Sequence, residues 1–220
     1  MKYIGYSLAL ILVLVPCLSA RAADPGSDTS RPGNWTGLFV GGDLGISVTE
    51  SGVTQSGITY NFPTNPAFTI GFEYGFLYEL PIKLVLGVDG YGNFNFASNN
   101  SVRIGRNNII SSNFGTNAFG GDLRIGYDLG RLLPYAMIGG GIIEGTSDAS
   151  NLDGSGVHAG LGINYLVARY VGLFGEWSIQ QASANAASLG FPNGTAGFLI
   201  NNIVGGVSFY LWIPGMNGPY

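Results

Sequence analysis

From Thr36 onward the large apolar residues of this chain recur at every second position, and the places between them are held mainly by glycine and short polar residues. A two-residue period describes a β-strand with two unlike faces. In the first such segment Leu38, Val40, Leu44, Ile46 and Val48 share one parity, while Gly37, Phe39, Gly41, Asp43 and Gly45 take the other. The second sets Phe68, Ile70, Phe72, Tyr74, Phe76 and Tyr78 against Thr69, Gly71, Glu73, Gly75 and Glu79. The third runs Leu84, Leu86, Val88, Phe94 and Phe96 against Asp89, Tyr91, Asn93 and Asn95, and the fourth Phe119, Leu123, Ile125 and Tyr127 against Asp122 and Arg124. A glycine-rich fifth segment spans about 133 to 145, and its parity stays open because Tyr135 and Met137 compete with Ile138 and Ile142. The sixth opposes Val157, Leu161, Ile163 and Tyr165 to His158, Gly160, Gly162 and Asn164. The seventh sets Val171, Leu173, Trp177 and Ile179 against Phe174 and Glu176, and the eighth turns Ile203, Val207, Phe209 and Leu211 outward.

Composition decides what the apolar face meets. Only 10% of the 220 residues are charged and 37 are glycine, against roughly 25% charged and about 7% glycine in ordinary soluble domains. A water-exposed sheet needs a polar face, and here the other parity is mostly glycine, so the apolar face is read as meeting lipid. Disorder is excluded by the high apolar content. Nucleic acid is excluded as a partner by the formal net charge of -4, since phosphate binding needs clustered Lys and Arg.

Residues 1–22 read as a signal peptide: Lys2 precedes an apolar stretch from Ile4 to Val15, and Ala20-Arg21-Ala22 offers small residues at the cleavage site. The only cysteine, Cys17, lies inside it, and Pro16 directly before that cysteine argues against lipidation. The processed chain then carries thirteen acidic and seven basic residues and no thiol. After Ala22 no run of 18 or more apolar residues remains for a transmembrane helix. Residues 23–33 read as a flexible periplasmic lead-in, 34–212 as one barrel domain and 213–220 as a C-terminal extension.

Long polar segments near 49–66, 98–113, 146–155 and 182–197 alternate with tight junctions at Leu80-Pro81, Gly130-Arg131 and Ala168-Arg169. Short periplasmic turns, longer extracellular loops and an even strand number are the pattern of outer-membrane barrels. The expected fold is therefore all-β: an eight-stranded antiparallel up-and-down transmembrane β-barrel with both termini on the periplasmic side. Closure is compulsory, because an open sheet edge would leave backbone groups unpaired in hydrocarbon. Trp35, Tyr78, Tyr127, Tyr165, Phe209 and Trp212 fall near the periplasmic ends and Phe68, Phe94, Phe96 and Phe198 near the others, as two interfacial girdles would require.

The inward parity carries Glu73, Asp89, Asp122, Arg124 and Glu176, each five to seven residues from the periplasmic end of its strand. An eight-stranded barrel is just wide enough for side chains to fill it, and buried charges there must be paired and hydrogen-bonded or neutralised. Arg124 is expected to bridge two of the acids, with inward glycines making room for this layer and for Phe39, Tyr91, Phe174 and Tyr210. The result would be a plugged interior. No cofactor, metal or catalytic residue is expected. His158 is the only histidine and, read as lying near the outer rim beside Ser155 or Asp153, it is more readily a solvated polar residue than a general base or haem ligand.

At Asn34 to Gly42 the chain reads N-W-T-G-L-F-V-G-G, followed by Asp43-Leu44-Gly45. With Leu133-Pro134-Tyr135, the G-x-G-x-x-Y of Gly160 to Tyr165, Glu176-Trp177 and the strand from Asn202 to Leu211, this resembles the small opacity-type, porin-family outer-membrane barrels of alphaproteobacteria over about 34–212. The resemblance implies an outer-membrane surface protein, in a family described variously as structural, adhesive, immunogenic or pore-forming. That family ends on an aromatic residue read by the barrel assembly machinery, whereas this chain continues past Trp212 to Tyr220. Expected partners are outer-membrane lipid, lipopolysaccharide (whose phosphates Arg103 and Arg106 could pair), the assembly machinery, and a host or surface ligand at the long loops. The function expected is non-enzymatic, envelope-structural or surface-interacting, in the outer membrane. A narrow porin-like channel is the first alternative and a soluble lipocalin-like binder of apolar ligands the second.

Overall fold

The computed structural model describes residues 35–62, 66–104, 108–146, 151–187 and 193–212. The segments read from the sequence as a signal peptide, lead-in and C-terminal extension lie outside the described residues, as do the side chains of Trp212, Arg103 and Arg106. Nine strands follow one another: β1 (Gly37–Gln55), β2 (Ile58–Phe62), β3 (Pro66–Glu79), β4 (Leu84–Ile104), β5 (Asn108–Tyr127), β6 (Leu132–Thr146), β7 (Asn151–Ala168), β8 (Val171–Asn185) and β9 (Thr195–Trp212). Neighbours pair antiparallel in the order β1-β3-β4-β5-β6-β7-β8-β9, and β9 pairs back with β1 from Gly37↔Trp212 to Thr54↔Thr195. β2 pairs only with Ser51–Gln55 at the far end of β1, across a turn in which Ser56 and Gly57 both have positive φ (51° and 80°), the conformation of a tight two-residue hairpin. The wall therefore has eight strands. Among the described residues no helix is long and apolar enough to cross a membrane.

The register fixes the shape of the tube. Starting at Phe39 and stepping across paired residues, the path runs Gly75, Asp89, Asp122, Gly139, His158, Gln180, Ile200 and returns to β1 at Thr49, ten residues beyond its origin. A shear of ten over eight strands, with about 3.3 Å rise per residue and about 4.8 Å between strands, tilts the strands by roughly 40° and gives a radius of about 8 Å. Each residue then climbs about 2.5 Å along the axis. Tyr78 and Phe68, exposed on the outer face of β3 ten residues apart, lie about 25 Å apart along that axis, the height of the apolar band of an outer-membrane barrel.

Between those levels the outer face is apolar all round, with Leu38, Leu44, Leu86, Leu123, Ile138, Leu161, Leu173, Trp177 and Ile203 exposed. Large exposed apolar surface of this extent is unstable in water and stable in hydrocarbon. Tyr78, Tyr127, Tyr165 and Phe209 are exposed near the short-turn end, and Phe68, Phe94 and Phe96 near the other. On β6 the parity left open by the sequence resolves: Leu133, Tyr135, Met137 and Ile143 point inward, Ile138 and Ile142 outward.

Three expectations need correction. Trp35 is not an interfacial aromatic, since it is 1% exposed; it turns into the tube because its backbone and indole N–H groups both find carboxylates there. Phe198 is likewise buried, lying on the inward parity of β9. The long polar segments are mostly strand: β1 with β2, β4 with β5, β6 with β7 and β8 with β9 continue pairing beyond the girdle as hairpins. In β8 and β9 the inner face of this region is buried but mostly alanine, Ala182, Ala184 and Ala196, which contrasts too weakly with the intervening serine and asparagine to show an apolar period.

The lipid-facing wall makes a stability prediction. Leu161→Arg, near mid-band, should lower the unfolding free energy in liposomes by about 2–4 kcal/mol, whereas Asp153→Arg, exposed on the outer hairpin of the same strand, should change it by no more than about 0.5 kcal/mol. Urea titration followed by tryptophan fluorescence reads both; equal effects would contradict the assignment of faces.

Candidate functional site: the barrel interior

Inside the wall the side chains form three layers. At the short-turn end Trp35, Phe39, Leu77, Val85, Leu133, Leu166 and Tyr210 make an apolar cluster. Trp35 anchors it: its backbone N–H donates to Glu79 Oε2 at 2.8 Å, its indole Nε1–H donates to Asp128 Oδ1 at 3.2 Å, and its ring meets Tyr210 edge-on at 5.5 Å. At the hairpin end a second cluster gathers Val53, Ala118, Ile143, Phe198, Ile200 and a set of alanines from β8 and β9. Between these lids lies the polar layer.

Arg124, on β5, is its hub. One nitrogen, Nη2, donates to Glu73 Oε2 at 2.9 Å and to Asp89 Oδ2 at 2.8 Å, tying β5 to β3 and β4. The guanidinium carbon lies 4.2 Å from the centre of the Tyr135 ring and 5.2 Å from that of Phe39, both within cation–π range. Asp89 and Asp122 are direct cross-strand partners with both carboxylates turned inward, an arrangement that is repulsive unless each finds its own hydrogen-bonding partner. Arg124 takes Asp89, and His158 takes Asp122 through Nδ1 at 2.8 Å. The His158 ring also stacks against Tyr91 with centroids 4.4 Å apart.

Glycine makes these reaches possible. Asp122 and His158 sit on β5 and β7 with Gly139 of β6 between them in the same row, and a methyl group on Gly139 would strike the Gly121 carbonyl and the Asp122 carboxylate. The motif recurs. Ser208 Oγ–H donates to Glu73 Oε1 at 3.0 Å over Gly41, and the Tyr135 hydroxyl donates to Glu176 Oε2 at 3.0 Å over Gly162. Over Gly71, Asp43 and Asn93 converge from the two sides, each placing an oxygen where it would clash with a Cβ at that position. Each span joins strands that are not neighbours, so the layer braces the tube across three strands at a time.

Within this layer lies a cavity of about 20 Å³ bordered by Asp43, Glu73, Asp89, Asp122, Arg124 and His158. That is room for about one water molecule. Among the described residues, Asp89 Oδ1, Asp122 Oδ1, His158 Nε2 and Arg124 Nε and Nη1 have no protein partner, so a water placed there would meet several polar atoms at once. No grouping of three or more His, Asp, Glu or Cys side chains suited to a metal ion occurs among the described residues.

Of the sequence-derived set, Glu73, Asp89 and Arg124 meet directly, Asp122 joins through its contact with His158 and its pairing with Asp89, and Glu176 is held by Tyr135. His158 requires correction. It is 2% exposed and lies in the polar layer, not at the rim, while Ser155 and Asp153 face outward on the opposite side of the wall from it. Distance from the end of a strand does not give height, because the shear staggers the strands: a residue ten positions from the end of β7 shares a row with one five positions from the end of β5. Asp43, Tyr135 and Ser208 were also missed as members; the inward parity of Asp43 and its place two residues along β1 from Gly41, the partner of Glu73, were the available signals.

The comparisons agree with this architecture. A family model described as the outer membrane protein beta-barrel domain matches residues 10–210. The solved structure of Neisserial surface protein A is similar over 80% of this chain and 98% of its own, with a TM-score of 0.54 and 15% identity. OprG from Pseudomonas aeruginosa is similar over 83% of this chain and 100% of its own, with a TM-score of 0.53 and 14% identity. No curated protein matches. The chain belongs to the outer membrane protein β-barrel domain family, and its place is the bacterial outer membrane.

Removing one partner from a buried ion pair strands the others. Arg124→Ala should lower stability in liposomes by about 3–5 kcal/mol, and Gly139→Val should also destabilise the barrel by forcing apart the Asp122–His158 contact. Equilibrium urea unfolding of both variants tests this; a loss below about 0.5 kcal/mol for Arg124→Ala would show that the hub does not brace the wall.

Proposed function

We propose that this chain is an opacity-type barrel whose work is envelope-structural and surface-interacting, with a permanently filled interior. The observation that carries the reading is the sequence of two apolar clusters around a bridged polar layer whose cavity among the described residues measures about 20 Å³. A hydrated solute passing along the axis would have to separate Arg124 from Glu73 and Asp89 and expel the Trp35 cluster as well. Porin-type flow is therefore no part of the proposal, and the soluble lipocalin-like alternative is set aside by the family. A non-enzymatic role is part of the proposal, supported by the burial of His158 away from Ser155 and Asp153.

The surface that meets the outside consists of the hairpins. β4 runs on from Phe96 to Ile104 and β1 from Ile46 to Gln55, carrying paired backbone about 20 Å beyond the aromatic girdle. Exposed carboxylates Glu50, Glu144 and Asp153 lie in this region. Lipopolysaccharide, the assembly machinery and a host or surface ligand at the hairpins are the partners of this reading.

In planar bilayers the purified protein should show no sustained conductance step. Steady stepwise current from the unmodified protein would overturn the filled-interior proposal. In intact cells, added trypsin should leave Lys83 and Arg131, in two of the short turns, uncut; cleavage there would reverse the orientation.

A further inference from the structure

On the outer wall one row of paired residues reads Tyr74, Gly90, Gly121 and Gly140 across β3, β4, β5 and β6. All four have the outward parity, so three consecutive strands carry no side chain at this level. The Tyr74 ring lies sideways over the first of these glycines: a Cβ on Gly90 would stand 2.8 Å from both its Cζ and its hydroxyl oxygen. Tyr74 is four residues from Tyr78 and six from Phe68, hence about 10 Å from one aromatic girdle and about 15 Å from the other. A ring laid across the strands reaches neither interface. It stacks on Phe72 with centroids 6.4 Å apart, but its hydroxyl has no hydrogen-bond partner among the described residues, and an unpartnered hydroxyl in hydrocarbon is destabilising. Beside it a groove of about 640 Å³ opens on the same wall, bordered by Leu38, Val40, Tyr74, Val88, Gly90 and Gly121.

We propose that this wall docks a second copy of the chain, with the two Tyr74 hydroxyls hydrogen-bonded to each other. Two copies inserted in the same direction close as a dimer only about a two-fold axis along the membrane normal. Such an axis holds equivalent residues at one depth, so each Tyr74 meets its own counterpart, one hydroxyl donating and the other accepting. Acyl chains carry no hydrogen-bonding group near mid-membrane, which favours a second copy over a lipid as the occupant. Within a bilayer, burying apolar surface gives no net drive, and association depends on close packing at small residues and on hydrogen bonds. The glycine row and the groove supply the close approach, and Tyr74 the hydrogen bond.

The full-length protein, labelled once at its C-terminus and refolded into liposomes, is counted by single-molecule photobleaching over a range of protein-to-lipid ratios. Two-step spots should increase with density along a monomer–dimer curve. Tyr74→Phe, which keeps the ring and removes the hydroxyl, should weaken dimerisation about three- to tenfold. Val88→Trp, which fills the groove from an exposed position, should weaken it on the order of tenfold. Trp177→Phe, which also removes an exposed polar group from an aromatic ring but on β8, across the barrel from β4, should leave the curve unmoved. An unchanged heat-dependent gel shift shows each variant folded, and Tyr74→Phe carries the test if Val88→Trp does not fold. Single-step spots at every density, spots of more than two steps, or a curve that Tyr74→Phe does not shift would overturn the proposal. So would a monomer that keeps one lipid in native mass spectrometry and releases it on Tyr74→Phe, since the groove then belongs to a lipid.

Discussion

Every backbone N–H and C=O crossing hydrocarbon must find its partner within the wall, and the seam between β1 and β9 is where that requirement is met last. Eighteen register pairs, from Gly37↔Trp212 to Thr54↔Thr195, close the tube. Closure at a shear of ten sets strand tilt and radius together. Those two quantities fix how far apart inward side chains stand, and hence which can touch across the axis. The interior chemistry is a consequence of the seam.

The polar layer shows how tightly wall and interior are coupled. A tube of about 8 Å radius leaves no room for both the inward acids and a full set of Cβ atoms, and the conflict is resolved by placing glycine beneath each polar reach. Gly41, Gly139 and Gly162 lie under Ser208–Glu73, Asp122–His158 and Tyr135–Glu176 respectively. Such braces connect strands that share no backbone hydrogen bond, so they resist shearing of one hairpin past another. Burying them is costly in isolation, and the apolar clusters at either end of the layer leave Arg124 with carboxylates and rings as its protein neighbours.

Most of the wall was legible in the sequence because lipid supplies a demanding, uniform solvent: the two-residue alternation in β3, β5 and β7 marks the outer face residue by residue. Legibility failed in three places for three physical reasons. On β6 the inward Tyr135 and Met137 are as large and apolar as the outward Ile138, so polarity could not separate the faces. Beyond the girdle the β8–β9 hairpin buries mainly alanine on its inner face, Ala182, Ala184 and Ala196, a contrast with serine and asparagine too weak to read as a period. Position along β7 alone does not give the height of His158, because neighbouring strands are staggered; only the register reveals that it shares a row with Asp122 across Gly139. Trp35 illustrates a further gap, since an aromatic at a strand end fits an interfacial girdle and an interior plug equally well until its hydrogen-bond partners, Asp128 and Glu79, are located.

The division of faces is the claim on which the rest depends, and it is open to direct observation in a bilayer. Solid-state NMR transfer of magnetisation from lipid acyl methylene protons reports which side chains touch hydrocarbon. Along β7 the transfer should reach Leu161, Ile163 and Tyr165 and bypass Gly160, Gly162 and Asn164, a period of two. Transfer to Asn164 or His158 comparable with that to Leu161 would contradict the account.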